Sequence, residues 1–432
     1  MIFMKDAVLT MKTIAIIESC DTKYTESAYM KACIEKAGLK ALVLNTATGP
    51  TECANPDDNG KVVDVSRGEI VAAYGTPWSE LENKTKGEKI EFMRKAVTAY
   101  VEKLYKEGKI HGIISVGGLQ NTTMATAAMS VLPIGFPKVM ATTVASGTKQ
   151  FSLVVGDKDI VAMPTICDCT GLNLITRKVI ANACGCVIGM VQTAGEVIAK
   201  GDKPVIGLTL MGVTNNGCMA AVEELERNGY EVLGFHATGV GGAVMEQMAA
   251  DGLIDGVLDL TQHEITSEYF GGGFSYGPGA AVRLLKTTAS RVPLVVSLGG
   301  IDFVDYNKKE AHVVPNLDSR KTYDHNADTV HIKITPDEAR DIAKIMATRL
   351  NTADYPASCP VKVLIPTDGM RHNTTIGEAL YDPETDKALI DTLKANLNPN
   401  IEVIEVEGNL DTPEWGVKAA KVMLEVMAAA KK

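Results

Sequence analysis

Short β-branched apolar runs alternate along this chain with longer segments whose apolar residues recur at helical spacing. The run Thr13 to Glu18 (TIAIIE) predicts a strand buried on both faces. The segment behind it, with Tyr29, Met30, Cys33 and Ile34 on one side and Gly38 at its close, predicts a helix ended by a left-handed glycine. Lys40 to Asn45 predicts a second strand, followed by a long polar excursion over 46–64 and an amphipathic helix ending near Lys106. Ile110 to Val116 predicts a buried strand that Gly117-Gly118 interrupts, and Thr122 to Val131 a helix with Asn121 or Thr122 as its N-cap. Pro137 to Thr143 predicts the next strand. Phe151 to Met163 reads as two short strands that break the alternation in an antiparallel sense, and 172–199 as one long helix.

The stretch Lys200-Gly-Asp-Lys-Pro204 marks the best domain boundary. Beyond it, strands at 205–210, 230–235, 256–261 and 292–298 again turn into helices, and a polar segment from Leu317 to Asp328 predicts a loop. A helix from Asp337, a strand at Val361, a helix at 386–396, a strand at Ile401 and a terminal helix from Thr412 complete the pattern. This alternation predicts an α/β protein with domains at 1–200 and 201–432, each a mainly parallel, doubly wound sheet. With 432 residues the chain is also longer than one hydrophobic core usually serves.

The strand-to-helix corners carry the candidate chemistry. Gly117 and Gly118 leave main-chain N–H groups at the positive end of a helix, where an anion is favoured. The same holds at Asp21, Thr22 and Lys23, where a lysine in the first helical turn opposes the dipole unless an anion lies nearby. The turn Ala145-Ser146-Gly147-Thr148 is of the same small, hydroxylic kind, so Asn121, Thr122 and these four residues join the expected phosphate site. The glycine spacing matches neither a dinucleotide fingerprint nor a P-loop, and a Gly-Gly turn that only reverses the chain is the competing reading. In the second half, strand ends gather His236, Asp259, His263, Glu264 and Asp302, with His325 on the polar segment. His236, Glu264, Asp302 and His325 are the candidates for acid–base work, since a histidine beside a carboxylate can act as a general base near neutral pH. The same imidazoles and carboxylates could instead hold a divalent metal.

Composition narrows the partners. The formal charge of −10 argues against a nucleic-acid surface. No uninterrupted apolar run of membrane-spanning length is present, the start does not read as a signal peptide, and the cytoplasm is the expected compartment. Nine scattered cysteines argue against a disulfide framework. The two C-x-C pairs, at Cys167/Cys169 and Cys184/Cys186, lack the usual zinc spacing and are expected to be small buried hydrophobes.

Taken together, several segments resemble the UPF0261, or Tm-1-like, family over nearly the whole chain. They are the Asp21-Thr-Lys23 corner, the Gly117-Gly118 turn with PKVMATTVASG, GLNLITRKVIANACG (171–185), FHATGVGGAVME (235–246), DGVLDLT (255–261) and DHN (324–326). The resemblance implies two Rossmann-like domains, an ATP-binding or otherwise phosphate-binding first domain, and self-association into a homodimer or higher homo-oligomer. It assigns no particular reaction. The chain departs from the family pattern at its first corner, Glu18-Ser-Cys-Asp-Thr-Lys-Tyr24, and at Gly117-Gly-Leu-Gln-Asn-Thr122, where glycines and a serine are replaced. Two functions stay open: an enzyme acting on a small phosphorylated or carboxylated metabolite, or a nucleotide-responsive binding protein without turnover.

Overall fold

A computed structural model describes residues 11–145, 155–156, 158–194, 201–272, 283–352, 355 and 361–430. The chain divides into two compact units, Met1–Ala199 and Lys200–Lys432.

In the first unit, β1 (Thr13–Glu18), β2 (Lys40–Asn45), β3 (Gly112–Gly117), β4 (Lys138–Thr142) and β5 (Val161–Pro164) form one sheet in the order β2-β1-β3-β4-β5. Every neighbouring pair is parallel. Strand residues alternate between two cores, which is why these strands read as continuous apolar runs. Ile14, Ile16, Ile114 and Val116 pack under the helices Tyr24–Lys36 and Leu174–Thr193. Ala15, Ile17, Ile113 and Met140 pack under Lys86–Lys106 and Leu119–Ser130 on the opposite face. The helices following β1 and β3 therefore leave the sheet on opposite sides, and a crevice opens at the carboxyl ends of these two adjacent strands.

Two expectations from the sequence change here. The antiparallel pair over 151–163 is not seen: 151–154 and 157 lie outside the described residues, and β5 runs parallel to β4 as a half-buried edge strand ending at Pro164, where a missing N–H costs no ladder bond. Helix Leu119–Ser130 starts at Leu119 with Gly118 as its N-cap, because the side chain of Asn121 is engaged elsewhere. Helix Leu174–Thr193 is long and apolar enough, by length and composition, to cross a membrane. Its apolar residues Ile180, Ala183, Cys184, Val187 and Val191 belong to the first unit's core.

The second unit repeats the winding. Its six strands are β6 (Val205–Leu210), β7 (Glu231–His236), β8 (Gly256–Thr261), β9 (Leu294–Gly299), β13 (Val361–Pro366) and β14 (Glu402–Val406), in the order β14-β13-β9-β8-β6-β7. All pairs are parallel. The order reverses at β6, which lies between β7 and β8. A separate antiparallel sheet, β10 (Phe303–Asn307), β12 (Thr329–Lys333) and β11 (Thr322–Asp324), replaces part of the expected polar loop. Helices Asn215–Arg227 and Pro413–Ala430 cross at Gly217 and Gly416, where backbone touches backbone.

Candidate functional site

The crevice of the first unit holds a cavity of about 630 Å³. Ser19, Asp21, Thr22 and Lys23 enter it after β1, Thr48, Gly49 and Pro50 after β2, and Gly118, Leu119, Gln120 and Asn121 after β3, while Lys86 and Lys89 reach it from helix Lys86–Lys106. Two helices begin on its rim. Helix Tyr24–Lys36 has Lys23 at its N-cap and helix Leu119–Ser130 has Gly118, and neither N-cap makes a side-chain hydrogen bond. The first-turn N–H groups of both helices therefore have no side-chain cap, as suits an anion.

The polar groups of the wall are fixed from behind. The Gly49 N–H donates to Asp21 Oδ2 at 3.0 Å, and a Cβ at Gly49 would press on that oxygen, so a larger residue there would displace the Asp21 carboxylate. Thr22 Oγ1 donates to the Ser19 carbonyl at 3.3 Å. Lys89 Nζ donates to the Glu82 carbonyl at 2.7 Å, whereas Lys23 and Lys86 have no salt-bridge partner among the described residues. Three lysines against the single carboxylate of Asp21 leave the lining net positive.

Glu18, the last residue of β1, is fully buried next to these lining residues. It accepts hydrogen bonds from the Val116 N–H at 2.6 Å and from Asn121 Nδ2 at 3.0 Å. Burial holds its carboxyl well above the ordinary range, against the pull of those bonds, so the group tends to keep its proton. Asn121 Nδ2 also donates to Ser115 Oγ at 2.9 Å and to the Val116 carbonyl at 2.8 Å. A Cβ at Gly117 would lie 2.9 Å from that of Asn121, so Gly117 makes room for the amide.

The expected phosphate residues thus divide. Asp21, Thr22, Lys23, Gly118 and Asn121 share one cavity. Gly117 and Thr122 are buried behind it, with Thr122 Oγ1 2.6 Å from Thr142 Oγ1. Ala145 ends a short 3-10 turn outside the cavity wall, and Ser146, Gly147 and Thr148 lie outside the described residues. Thr48, Gly49, Lys86 and Lys89 escaped sequence reading because they come from an excursion and a helix that the fold alone brings to the first corner.

In the second unit His236 and His325 line one cavity of about 350 Å³, with Met211, Gly212, Val213, Thr238, Asp305, Asn326, Thr329 and His331. His236, at the end of β7, has Nδ1 2.9 Å from Thr238 Oγ1. His325 stacks on His331 with ring centroids 4.6 Å apart and planes 15° from parallel. Glu264 and Asp302 are not part of this cavity. Glu264 is fully buried, accepting from the N–H groups of Gly239 at 2.8 Å and Gly242 at 3.2 Å and pairing with Arg283. Arg283 also binds Asp259 at 2.6 Å and lies 3.6 Å from Glu246, so one guanidinium serves three carboxylates. Asp302, also buried, meets Lys333 Nζ at 2.8 Å and Arg371 Nε at 3.0 Å; these cations overcome the effect of burial and hold its carboxyl far below the ordinary range. Both acids do stand near strand ends, as the sequence suggests, but buried cations distant in sequence engage them.

Of two further histidines, His263 was read from the sequence as part of the strand-end set and His331 was not. His263 is fully buried, with Nε2 3.0 Å from Asp305 Oδ1 and Nδ1 3.0 Å from the Gly300 carbonyl. His331, on β12, has its pKa pushed down to about 3 by burial and by the nearby Arg371 and His325. Among the described residues no three His, Cys, Asp or Glu side chains group as metal ligands. The described cysteines are free, and burial raises the thiols of Cys169 to about 11 and Cys218 to about 12.

Two parallel, doubly wound units, each with a polar cavity at its strand ends, define a two-domain Rossmann-like α/β protein. The chain matches the Uncharacterised protein family (UPF0261) N-terminal domain over residues 12–196 and the C-terminal domain of that family over 203–427. It belongs to the UPF0261 family. It is 36% identical to a UPF0261 protein of Clostridium tetani, over 96% of this chain and 99% of that one. It is 34% identical to the ToMV susceptible protein tm-1(GCR26) of Solanum lycopersicum, over 73% of this chain but 41% of the tomato protein. A putative UDP-N-acetylglucosamine 2-epimerase from Listeria monocytogenes aligns over 98% of this chain and 91% of its own, at 12% identity and a TM-score of 0.22, too low to support any inference about function.

Proposed function

We propose that the first unit binds ATP or a related phosphorylated small molecule, with its phosphates at the crevice between β1 and β3. The observation that carries this reading is the convergence of two helix N-termini and three lysines on one cavity that holds a single carboxylate. The main-chain N–H groups of the 118–121 turn would donate to phosphate oxygens, Lys23 and Lys86 would neutralise them, and Glu18, kept protonated, would add no opposing charge. Each charge-assisted bond is worth about 1.5–3 kcal/mol net. Isothermal titration with ATP, ADP and pyrophosphate tests this: Lys23→Met is expected to weaken binding by about tenfold or more, the equivalent of about 1.4 kcal/mol. Absence of binding by all three compounds to the unmodified protein would refute it.

A second reading concerns the second unit, because His236 and His325 line a common cavity. There the two imidazoles would exchange protons with a small metabolite, Thr238 orienting His236 through Nδ1. The alternative is a binding protein whose ligand shifts a conformational equilibrium without turnover. His236→Ala separates them: an enzyme loses turnover in a metabolite screen, and a regulator has none to lose.

A further inference from the structure

The walls of the two cavities differ in charge. Among the described residues lining the His236 cavity there is no lysine or arginine. Its one carboxylate, Asp305, faces His263 from 3.0 Å. The Nδ1 of His263 meets a carbonyl and its Nε2 a carboxylate, so both nitrogens have only acceptors to bond and both carry protons. Burial works against that charge, and Asp305 together with the Gly300 carbonyl outweighs it. Asp305 is thus neutralised by an imidazolium, and the carboxylate adds little net charge to the wall.

His331 contributes the opposite polarity. It is 2% exposed, and its Nδ1 is buried without a hydrogen-bond partner. A sealed, unpaired N–H costs more than an unused lone pair, so the proton of the neutral ring sits on Nε2 and His331 serves as a donor. Its ring is clamped between His325 at 4.6 Å and Phe303 at 4.5 Å, and Phe303 in turn stacks on His263 at 4.3 Å. The wall therefore combines an acceptor at Asp305, a rigid donor at His331, hydroxyls of either sense at Thr238 and Thr329, and an apolar side at Met211 and Val213.

Hydroxyl groups, which donate and accept at once, match such a wall, whereas a phosphate would find no lysine or arginine among the described lining residues to offset its charge. The volume of about 350 Å³ is at the small end for ligand sites. We propose that this cavity binds an uncharged, hydroxyl-bearing small molecule of polyol or monosaccharide size, its hydroxyls shared between Asp305, His331 and Thr329. This rests on the reading that the cavity of His236 and His325 is a ligand site.

The test is thermal denaturation of the full chain with four- to six-carbon polyols and aldoses at millimolar concentration, beside the matching sugar phosphates and sugar acids. At least one neutral compound is expected to raise Tm by about 3 °C. His331→Phe, which keeps the ring stack and removes the donor, and Thr238→Val, outside the stack, are each expected to lower its affinity about tenfold or more. If only charged compounds raise Tm, and Thr238→Val abolishes the effect, the neutral ligand class is wrong while the cavity stands as a ligand site. If no compound gives a shift that either substitution removes, both the ligand class and the reading of the cavity fall.

Discussion

A charged carboxyl beneath the proposed phosphate site would repel the ligand, and Glu18 is buried where the neutral form is favoured. The sign of the linkage follows from that shift. A carboxyl whose pKa is raised on folding stabilises the native state fully below the unfolded value of 4.5, and this contribution is lost as pH rises through the higher folded value. Glu18→Gln cannot lose a proton, so urea midpoints of the two proteins, measured from about pH 5 to about pH 9, are expected to diverge. The unmodified protein should fall relative to the variant, and parallel curves would show that Glu18 is ionised throughout. Arg283 is the converse case. Its guanidinium is fully buried among Asp259, Glu264 and Glu246, so Arg283→Met leaves buried acids without a counter-charge and is expected to cost about 3–5 kcal/mol in urea unfolding. A loss under about 1 kcal/mol would mean that the acids take up protons and repack at little cost. These two sites also mark the limit of sequence reading for residues. That Asp21, Lys23 and Gly118 share one strand-end cavity was legible because strand-end corners have a fixed polarity. Glu264 and Asp302 read as catalytic because nothing local announces that Arg283, Lys333 and Arg371 fold onto them.

At the level of elements, hydrophobic periodicity located most strands and helices because the inner strands of the two parallel sheets, such as β1, β3, β8 and β9, are buried along their whole length, which writes apolar runs into them. It failed where burial is slight or the partner distant. All three residues of β11 are exposed, so Thr322–Asp324 carries no alternation, and its pairing with β12 shows only in three dimensions. Helix packing gives a sharper case. A Cβ at Gly416 would collide with the Gly217 carbonyl and come within 3.0 Å of Gly217 Cα, and one at Gly217 would collide with the Leu410 carbonyl. Backbone atoms cannot swing aside as a side chain can. Gly416→Ala is therefore expected to destabilise the protein by about 1–3 kcal/mol, despite alanine's better helix propensity. Alanine at Gly185, in a helix with open space around that position, should instead be neutral or slightly stabilising. Chemical denaturation of both variants checks the pair, and equal effects would show that propensity rather than the crossing decides.

For the whole molecule, the decisive fact is that each unit has hydrophobic clusters of its own among the described residues. Two large clusters of the first unit draw on residues between Ile14 and Val191, and a large cluster of the second on residues between Ile206 and Met427. Each unit thus has its own hydrophobic reason to fold, and cooperativity within a unit should exceed that between units. The phosphate site proposed above lies wholly in the first unit, built from the corners after β1, β2 and β3 and from helix Lys86–Lys106. A ligand that binds only a folded unit stabilises that unit by RT ln(1 + [L]/Kd), about 2.7 kcal/mol at a hundred times Kd. Differential scanning calorimetry is therefore expected to resolve two transitions, of which ATP or pyrophosphate raises one and leaves the other in place. Lys23→Met should abolish the shift without moving the unshifted transition. A single transition that moves as one body with ligand would show that the units unfold together, and a shift that survives Lys23→Met would place the anion elsewhere than at the crevice between β1 and β3.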